Sequence, residues 1–279
     1  MPVSLILDTD FGTDVDDLLA LTTILGSPEL ALTGVTTVYG DVLLRARMVA
    51  RVARLAGRDV GPIVPGRGEP RSGREVWWAG HEGALMPGLE QEEVGTDDPV
   101  ALLAGSATVL AVGPLTTVAE AVETPGHQIE QLLLMGGDFS GSDEPEHNIK
   151  CDVAAAAAAF ESGVPVTTIG IDQTRRLRLD AALVAELESA GELGELVGAE
   201  IRQWWEFRQR DFNEPHDPAA VVMMVEPELF SFATGRIVVE DDGRTRFAPD
   251  PAGPHRIVTD LDPERVTRRI VDRMLAAMT

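Results

Sequence analysis

A single α/β domain spanning residues 1–279, with a doubly wound, mostly parallel sheet and helices on both faces, is the fold class that the sequence predicts. Three observations carry that expectation. Short leucine-rich or β-branched runs alternate with longer helical patterns, the signature of βαβ units. One run, Gln131-Leu132-Leu133-Leu134-Met135, is almost wholly apolar, as a strand covered on both faces must be. Polar or glycine-rich residues also gather where the strand candidates end, at Asp8-Thr9-Asp10, Tyr39-Gly40-Asp41, Val112-Gly113-Pro114 and Gly136-Gly137-Asp138. In a doubly wound sheet those ends form the ligand-binding rim.

In chain order, strands are expected at residues 3–7, 32–38, 107–112, 131–135 and 165–169. Helices are expected at 16–25, 43–56, 116–122 and 152–162. The second helix places Leu44, Met48, Val52 and Leu55 at helical spacing, and its arginines, among them Arg45, Arg47, Arg51 and Arg54, read as a solvated face. Residues 66–98, rich in Gly and Pro and carrying Trp77, Trp78 and His81, read as a long loop on the active rim. Residues 180–211 are helical in pattern. A closing helix over 262–278 starts with Asp262-Pro263 in the cap and first-turn positions.

A chain of 279 residues with 44% hydrophobic content can bury a substantial core. Its net charge of -23, from 46 acidic and 23 basic residues, argues against nucleic acid and anionic membranes as partners. Part of that acidity reads as solvated surface. Cys151 is the only cysteine, so one chain can build neither a disulfide nor a thiolate zinc site. With no basic leader and no apolar run of spanning length, the expected compartment is cytoplasmic.

The candidate chemistry centres on five aspartates in ten residues: Asp8, Asp10, Asp14, Asp16 and Asp17. Asp8 and Asp10 leave a strand at alternate positions and so start on one face; Asp16 and Asp17 open a helix. That many carboxylates repel one another unless a cation holds them, and oxygen-only donors suit calcium or magnesium. Helix capping would account for one aspartate, not five. A second cluster, Glu146-His147-Asn148, can hydrogen-bond the vicinal hydroxyls of a sugar or form an ordinary polar loop, with Asp152 as the cap of the alanine-rich helix. In a third, His216-Asp217-Pro218, Asp217 is a helix cap or a further metal oxygen, and His216 is a general acid or a structural histidine. Trp77, Trp78, Trp204 and Trp205 belong either to the core or to a stacking face for a planar ring.

Taken in order, these motifs resemble the nucleoside hydrolase family, the inosine-uridine preferring and related ribohydrolases, over nearly the whole chain. Residues Asp8 to Asp17 are similar to the family's N-terminal aspartate motif, with two residues more than its usual form, and Val112-Gly113-Pro114 to its central turn. The resemblance implies the nucleoside hydrolase fold and a calcium-dependent enzyme that frees base and ribose from purine or pyrimidine ribonucleosides. It implies Ca2+ ligation by Asp10, Asp17, Asp217 and the Val112 carbonyl, with Asp10 as general base toward the attacking water. Asp16, Glu146 and Asn148 are implied to hold the ribose, His81 to lie near the nucleobase, and His216 to assist the leaving group. Asp8 and Asp14 are implied to be supporting residues. A homodimer or homotetramer acting on small-molecule nucleosides is the implied assembly.

Two other readings stay open on the sequence. Asp8-Thr9-Asp10 after a strand is also the arrangement of the aspartate-nucleophile, magnesium-dependent phosphatases, whose lysine partner could only be Lys150. A non-catalytic ribose or calcium-binding protein is the other.

Overall fold

The computed structural model describes all 279 residues. Its main sheet has nine strands: β1 (Val3–Thr9), β2 (Leu30–Thr37), β3 (Ile63–Pro65), β4 (Thr108–Ala111), β5 (Gln131–Met135), β6 (Val166–Ile169), β9 (Phe230–Val239), β10 (Thr245–Pro249) and β11 (His255–Leu261). Two short strands, β7 (Leu179–Asp180) and β8 (Phe212–Asn213), pair separately. The strand order is β10-β9-β11-β6-β5-β4-β1-β2-β3, parallel from β3 through β11 and antiparallel only at β9 and β10. The doubly wound expectation therefore holds. Its five strands are all present; β3 and the β9–β11 group are additional.

Winding runs outward from β1 to β3 on one side and from β4 to β6 on the other, so β1 and β4 lie side by side where the direction reverses. Loops leaving these two strands diverge, and a crevice opens between them. That crevice is where the first aspartates and Val112 emerge.

The helices are α1 (Asp16–Leu25), α2 (Val42–Leu55), α3 (Pro99–Ala104), α4 (Thr116–Glu123), α5 (His147–Cys151), α6 (Val153–Glu161), α7 (Ile171–Thr174), α8 (Ala181–Glu188), α9 (Gly191–Arg208), α10 (His216–Val225) and α11 (Pro263–Ala277). Strand alternation sends Leu5 and Leu7 into one core, shared with α1, α10 and α11, and Ile6 into the other, shared with α3, α4 and α6. The expected caps form: Asp152 accepts the Ala155 N–H at the start of α6, and Asp262 accepts the Arg265 N–H ahead of Pro263 in α11. The helical stretch expected over 180–211 divides into α8 and α9. Residues 66–98 carry no regular element beyond a 3-10 turn at Leu89–Gln91 and the start of nothing longer, in keeping with a loop. No helix is long and apolar enough to cross a membrane.

The arginines of α2 correct the expectation of a solvated face. Arg54 is exposed, whereas Arg51 is only 15% exposed; both pair with Glu92. Arg45, however, is fully buried, because it shares the inward stripe with Met48, Val49 and Val52, three, four and seven residues further on.

Candidate active site

The crevice forms a cavity of about 380 Å³, lined by Asp10, Asp14, Asp16, Asp17 and Asp217 and by Glu146, His147 and Asn148. Asp10 follows the last residue of β1. Its carboxylate lies against Gly113, where a Cβ would come within 2.7 Å of Oδ1, so the bare backbone of the Val112-Gly113-Pro114 turn makes room for it. Asp16 and Asp17 open α1, and Asp217 sits in the first turn of α10; both helix N-termini face the cavity and favour anions there. Asp16 accepts the His216 N–H at 2.9 Å, which ties the two helix starts together. Asp17 accepts the Thr9 hydroxyl, and Asp14 accepts the Asp16 N–H at 3.0 Å.

Asp8 parts from Asp10, contrary to the expectation of a shared face, since regular strand geometry stops at Thr9. It is buried away from the cavity, with Oδ1 accepting the Thr36 hydroxyl at 2.5 Å and Oδ2 unpartnered. Burial raises its pKa to about 8, so it carries a proton at neutral pH. Asp14, assigned a supporting role, lines the cavity itself.

Burial raises the pKa values of Asp10, Asp14, Asp16, Asp17 and Asp217, and for all but Asp10 the neighbouring aspartates add to it. Against them, His147 works to lower Asp10 and Asp14, and the fully buried Arg45 works to lower Asp10 and Asp17. Its guanidinium donates to the carbonyls of Tyr39 (2.6 Å), Asp10 and Phe11 (2.8 Å) and to the Thr13 hydroxyl (3.1 Å). Arg45 therefore fixes the aspartate loop by its backbone. It also holds Tyr39, a cavity residue with the left-handed φ of 68° that a bulky side chain rarely adopts.

In the same cavity Glu146 caps α5, accepting the N–H groups of Asn148, Ile149 and Gly137 at 2.8, 3.1 and 3.1 Å. Asn148 donates to the Val112 carbonyl at 2.8 Å and to that of Met135 at 3.3 Å, joining the ends of β4 and β5. The Val112 oxygen expected on a metal thus already has one partner and keeps a second lone pair. His147 opens onto the cavity beside Trp77 and Tyr39. Partial burial works against its protonation, but the Cys151 sulfur and the carboxylates of Asp10 and Glu146 outweigh it and raise its pKa.

His216 lines the cavity as expected, with Nδ1 2.6 Å from the Thr174 hydroxyl. Burial, and then the cations of Arg175, Arg210 and Arg208, depress its pKa to about 3, so the imidazole is neutral at physiological pH. His81 is not brought into the cavity lining. Its Nε2 meets the Thr13 carbonyl at 2.9 Å and its ring packs against Trp204 and Phe207. Of the four tryptophans, Trp77 and Trp204 line the cavity. Trp78 lies over Arg45, and Trp205 is core, donating to Asn213 at 2.5 Å. The arginines Arg175, Arg208 and Arg210 also line the cavity and were not anticipated, being brought together only by the tertiary fold.

The donor set fits a hard divalent cation: oxygen only, buried, and with too little positive charge nearby to balance it. As placed, no three of the His, Cys, Asp and Glu side chains form a group that could hold a metal ion. Lys150 is exposed and outside the cavity lining, which removes the lysine that a phosphatase reading needs.

A carboxylate-walled cavity at the reversal point of a doubly wound sheet defines an α/β protein that can hold a cation beside a hydroxyl-rich ligand. The family model described as inosine-uridine preferring nucleoside hydrolase matches residues 5–268, and the chain belongs to that family. It is 30% identical over 266 residues to the pyrimidine-specific ribonucleoside hydrolase RihA of Photobacterium profundum, covering 86% of this chain and 85% of that one. It is 29% identical over 266 residues to uridine nucleosidase 1 of Arabidopsis thaliana, covering 86% and 79%. Among solved structures, a plant nucleoside hydrolase, PpNRh1, superimposes with a TM-score of 0.87 at 26% identity, over 98% of this chain and 99% of that one. The protein is therefore an enzyme of ribonucleoside N-glycosidic hydrolysis, in a family that is generally metal-dependent.

Proposed function

We propose that this enzyme is a calcium-dependent N-ribohydrolase that converts purine or pyrimidine ribonucleosides to free base and ribose. The observation that carries this reading is the convergence of Asp10, Asp14, Asp16, Asp17 and Asp217 on one cavity together with Glu146 and Asn148. Asp10, Asp17, Asp217 and the Val112 carbonyl are the ligand set for the ion, and Asp14 lines the same cavity. A calcium ion held by these residues would offset the charge of the buried carboxylates and would make a nearby water more acidic.

Asp10 takes the proton of that water as its oxygen approaches C1′. Asp16, Glu146 and Asn148 grip the ribose hydroxyls so that the ring can flatten toward an oxocarbenium-like geometry, by analogy with other glycoside hydrolysis. His216, neutral in its surroundings, serves the departing base as an N–H donor and not as a preformed imidazolium. Trp77 and Trp204 supply apolar faces for the base.

The test is ribose release from a panel of purine and pyrimidine ribosides, with chelator and after calcium is restored. Chelation is expected to abolish release and calcium to recover it, while Asp10→Asn lowers kcat by roughly a thousandfold with the fold intact. Full activity in a demonstrably metal-free sample would overturn the calcium assignment, and near-normal turnover of Asp10→Asn would remove that residue from proton transfer.

A further inference from the structure

His216 is the group assigned to the departing base, and which of its two ring nitrogens carries the proton decides whether it can donate there. The two nitrogens have different neighbours. Nδ1 lies 2.6 Å from the hydroxyl of Thr174, the last residue of α7, which has no exposed surface. Nε2 has the Glu214 carboxylate 3.9 Å away. α7 leaves the carboxyl end of β6 at the cavity rim, where Ile171 and Arg175 reach the lining and Thr174 does not.

A threonine hydroxyl has one proton to give. In a helix it commonly returns to a carbonyl three or four residues back, yet the Ile171 and Gly170 carbonyls both stand 3.5 Å away, at the outer limit of a hydrogen bond. His216 Nδ1 at 2.6 Å is the closer acceptor, so the hydroxyl donates to it and Nδ1 presents its lone pair. The ring proton then sits on Nε2. The Glu214 side agrees independently, because a carboxylate only accepts and is favoured beside an N–H, not beside a second lone pair. Arg210 holds Glu214 in place at 3.1 Å, and the His216 backbone N–H is tied to Asp16 at 2.9 Å.

We propose that Thr174 is a positioning residue for the reaction: by donating to Nδ1 it keeps His216 in the Nε2–H tautomer and so offers the departing base a hydrogen-bond donor. This rests on the ribohydrolase reading. When the C1′–N bond breaks, both electrons go to the base nitrogen; the water oxygen bonds C1′ and its proton passes to Asp10. Nε2–H disperses the charge on the base by a hydrogen bond, without giving up its proton, and the base is protonated by solvent. In the opposite tautomer a lone pair would face that charge and repel it. Thr174 touches no reacting atom and acts only through the imidazole.

The test compares inosine, uridine and p-nitrophenyl riboside as substrates of the metal-loaded wild type and of its Thr174→Val and Thr174→Ser variants, with circular dichroism melts to check the fold. Nitrophenolate is a stable anion and needs no donor to leave. Thr174→Val, close in shape but without the hydroxyl, is expected to lower kcat on inosine and uridine by roughly tenfold with KM within about twofold, and to change p-nitrophenyl riboside by less than about twofold. Thr174→Ser restores the hydroxyl and should stay within about threefold of wild type on all three. Nitrogen-15 NMR of the wild-type imidazoles, with His216 identified by its absence from His216→Gln, is expected to show a bare Nδ1 and a protonated Nε2; this reading needs no Thr174 variant to fold. A protonated Nδ1 in the wild type, equal losses on all three substrates, or no loss on inosine and uridine would overturn the role of Thr174 while leaving the hydrolase reading intact. Absence of ribose release from all three by the wild type would instead sink the hydrolase reading, and the leaving-group role with it.

Discussion

Replacing Arg45 with alanine perturbs the site through its backbone and shows whether the aspartate loop depends on this one buried cation. The guanidinium has 0% exposure and donates to three carbonyls and a hydroxyl, two of the carbonyls in the loop that carries the aspartates. Each buried carbonyl left without a donor costs about 1–3 kcal/mol, reduced where water enters the vacated space. Removal also takes away the positive charge that opposes the raised pKa values of Asp10 and Asp17. Together the loss should be about 3–5 kcal/mol, the range for breaking a buried charged network on one side. In a protein of this size that lowers Tm by on the order of 6–12 °C. Arg45→Lys keeps the charge but cannot fork to four acceptors, and should fall in between. Arg54→Ala, on the exposed side of the same helix, serves as the control and should leave Tm essentially unchanged. Thermal and urea unfolding of the four proteins decide the matter. A drop below about 2 °C for Arg45→Ala, or one matched by Arg54→Ala, would refute the argument.

Two more predictions concern other positions. Glu200 on α9 is buried, its Oε1 lacks a partner, and desolvation raises its pKa from 4.5 to about 7. The unfolded chain gives up this proton near 4.5 and the folded chain near 7, so stability falls as pH rises through that window and is level above it. Glu200→Gln should therefore gain on the order of 2–3 kcal/mol relative to wild type at pH 8 compared with pH 4.5, read by urea unfolding; an identical offset at both pH values would contradict it. At the site, Gly113→Ala places a methyl 2.7 Å from Asp10 Oδ1 and 2.9 Å from the Asp10 nitrogen. It should cut kcat roughly a hundredfold for about 1–3 kcal/mol of stability, and unchanged kcat would show that the Asp10 carboxylate tolerates displacement.

How far the sequence exposed this site follows from how far its parts lie from one another along the chain. The aspartates were visible because they crowd one decapeptide between a strand and a helix, and Gly113 because strand ends collect turn residues. Asp8 and Asp10 were not separable, since alternation predicts a shared face only while the strand lasts, and it ends between them at Thr9. Arg45 carried a local signal that a stripe drawn through Leu44, Met48, Val52 and Leu55 concealed. Redrawn a fraction of a turn away through Arg45, Met48, Val49 and Val52, the stripe puts a charge in the core. A buried charge in such a stripe needs partners, and here they are the carbonyls of the loop that bears the aspartates. The β9–β11 group was silent for another reason. In β9 buried and exposed positions alternate at Arg236, Ile237 and Val238, and the apolar run there is only Ile237-Val238-Val239, too short to announce a strand. The cavity arginines had no local signal at all: Arg175 and Arg208 are 33 positions apart and meet only because α7 and the end of α9 converge on one cavity. A pattern confined to one short segment can reveal a cluster of carboxylates, whereas cavity residues that come from separate elements become recognisable only once the sheet has set their distance.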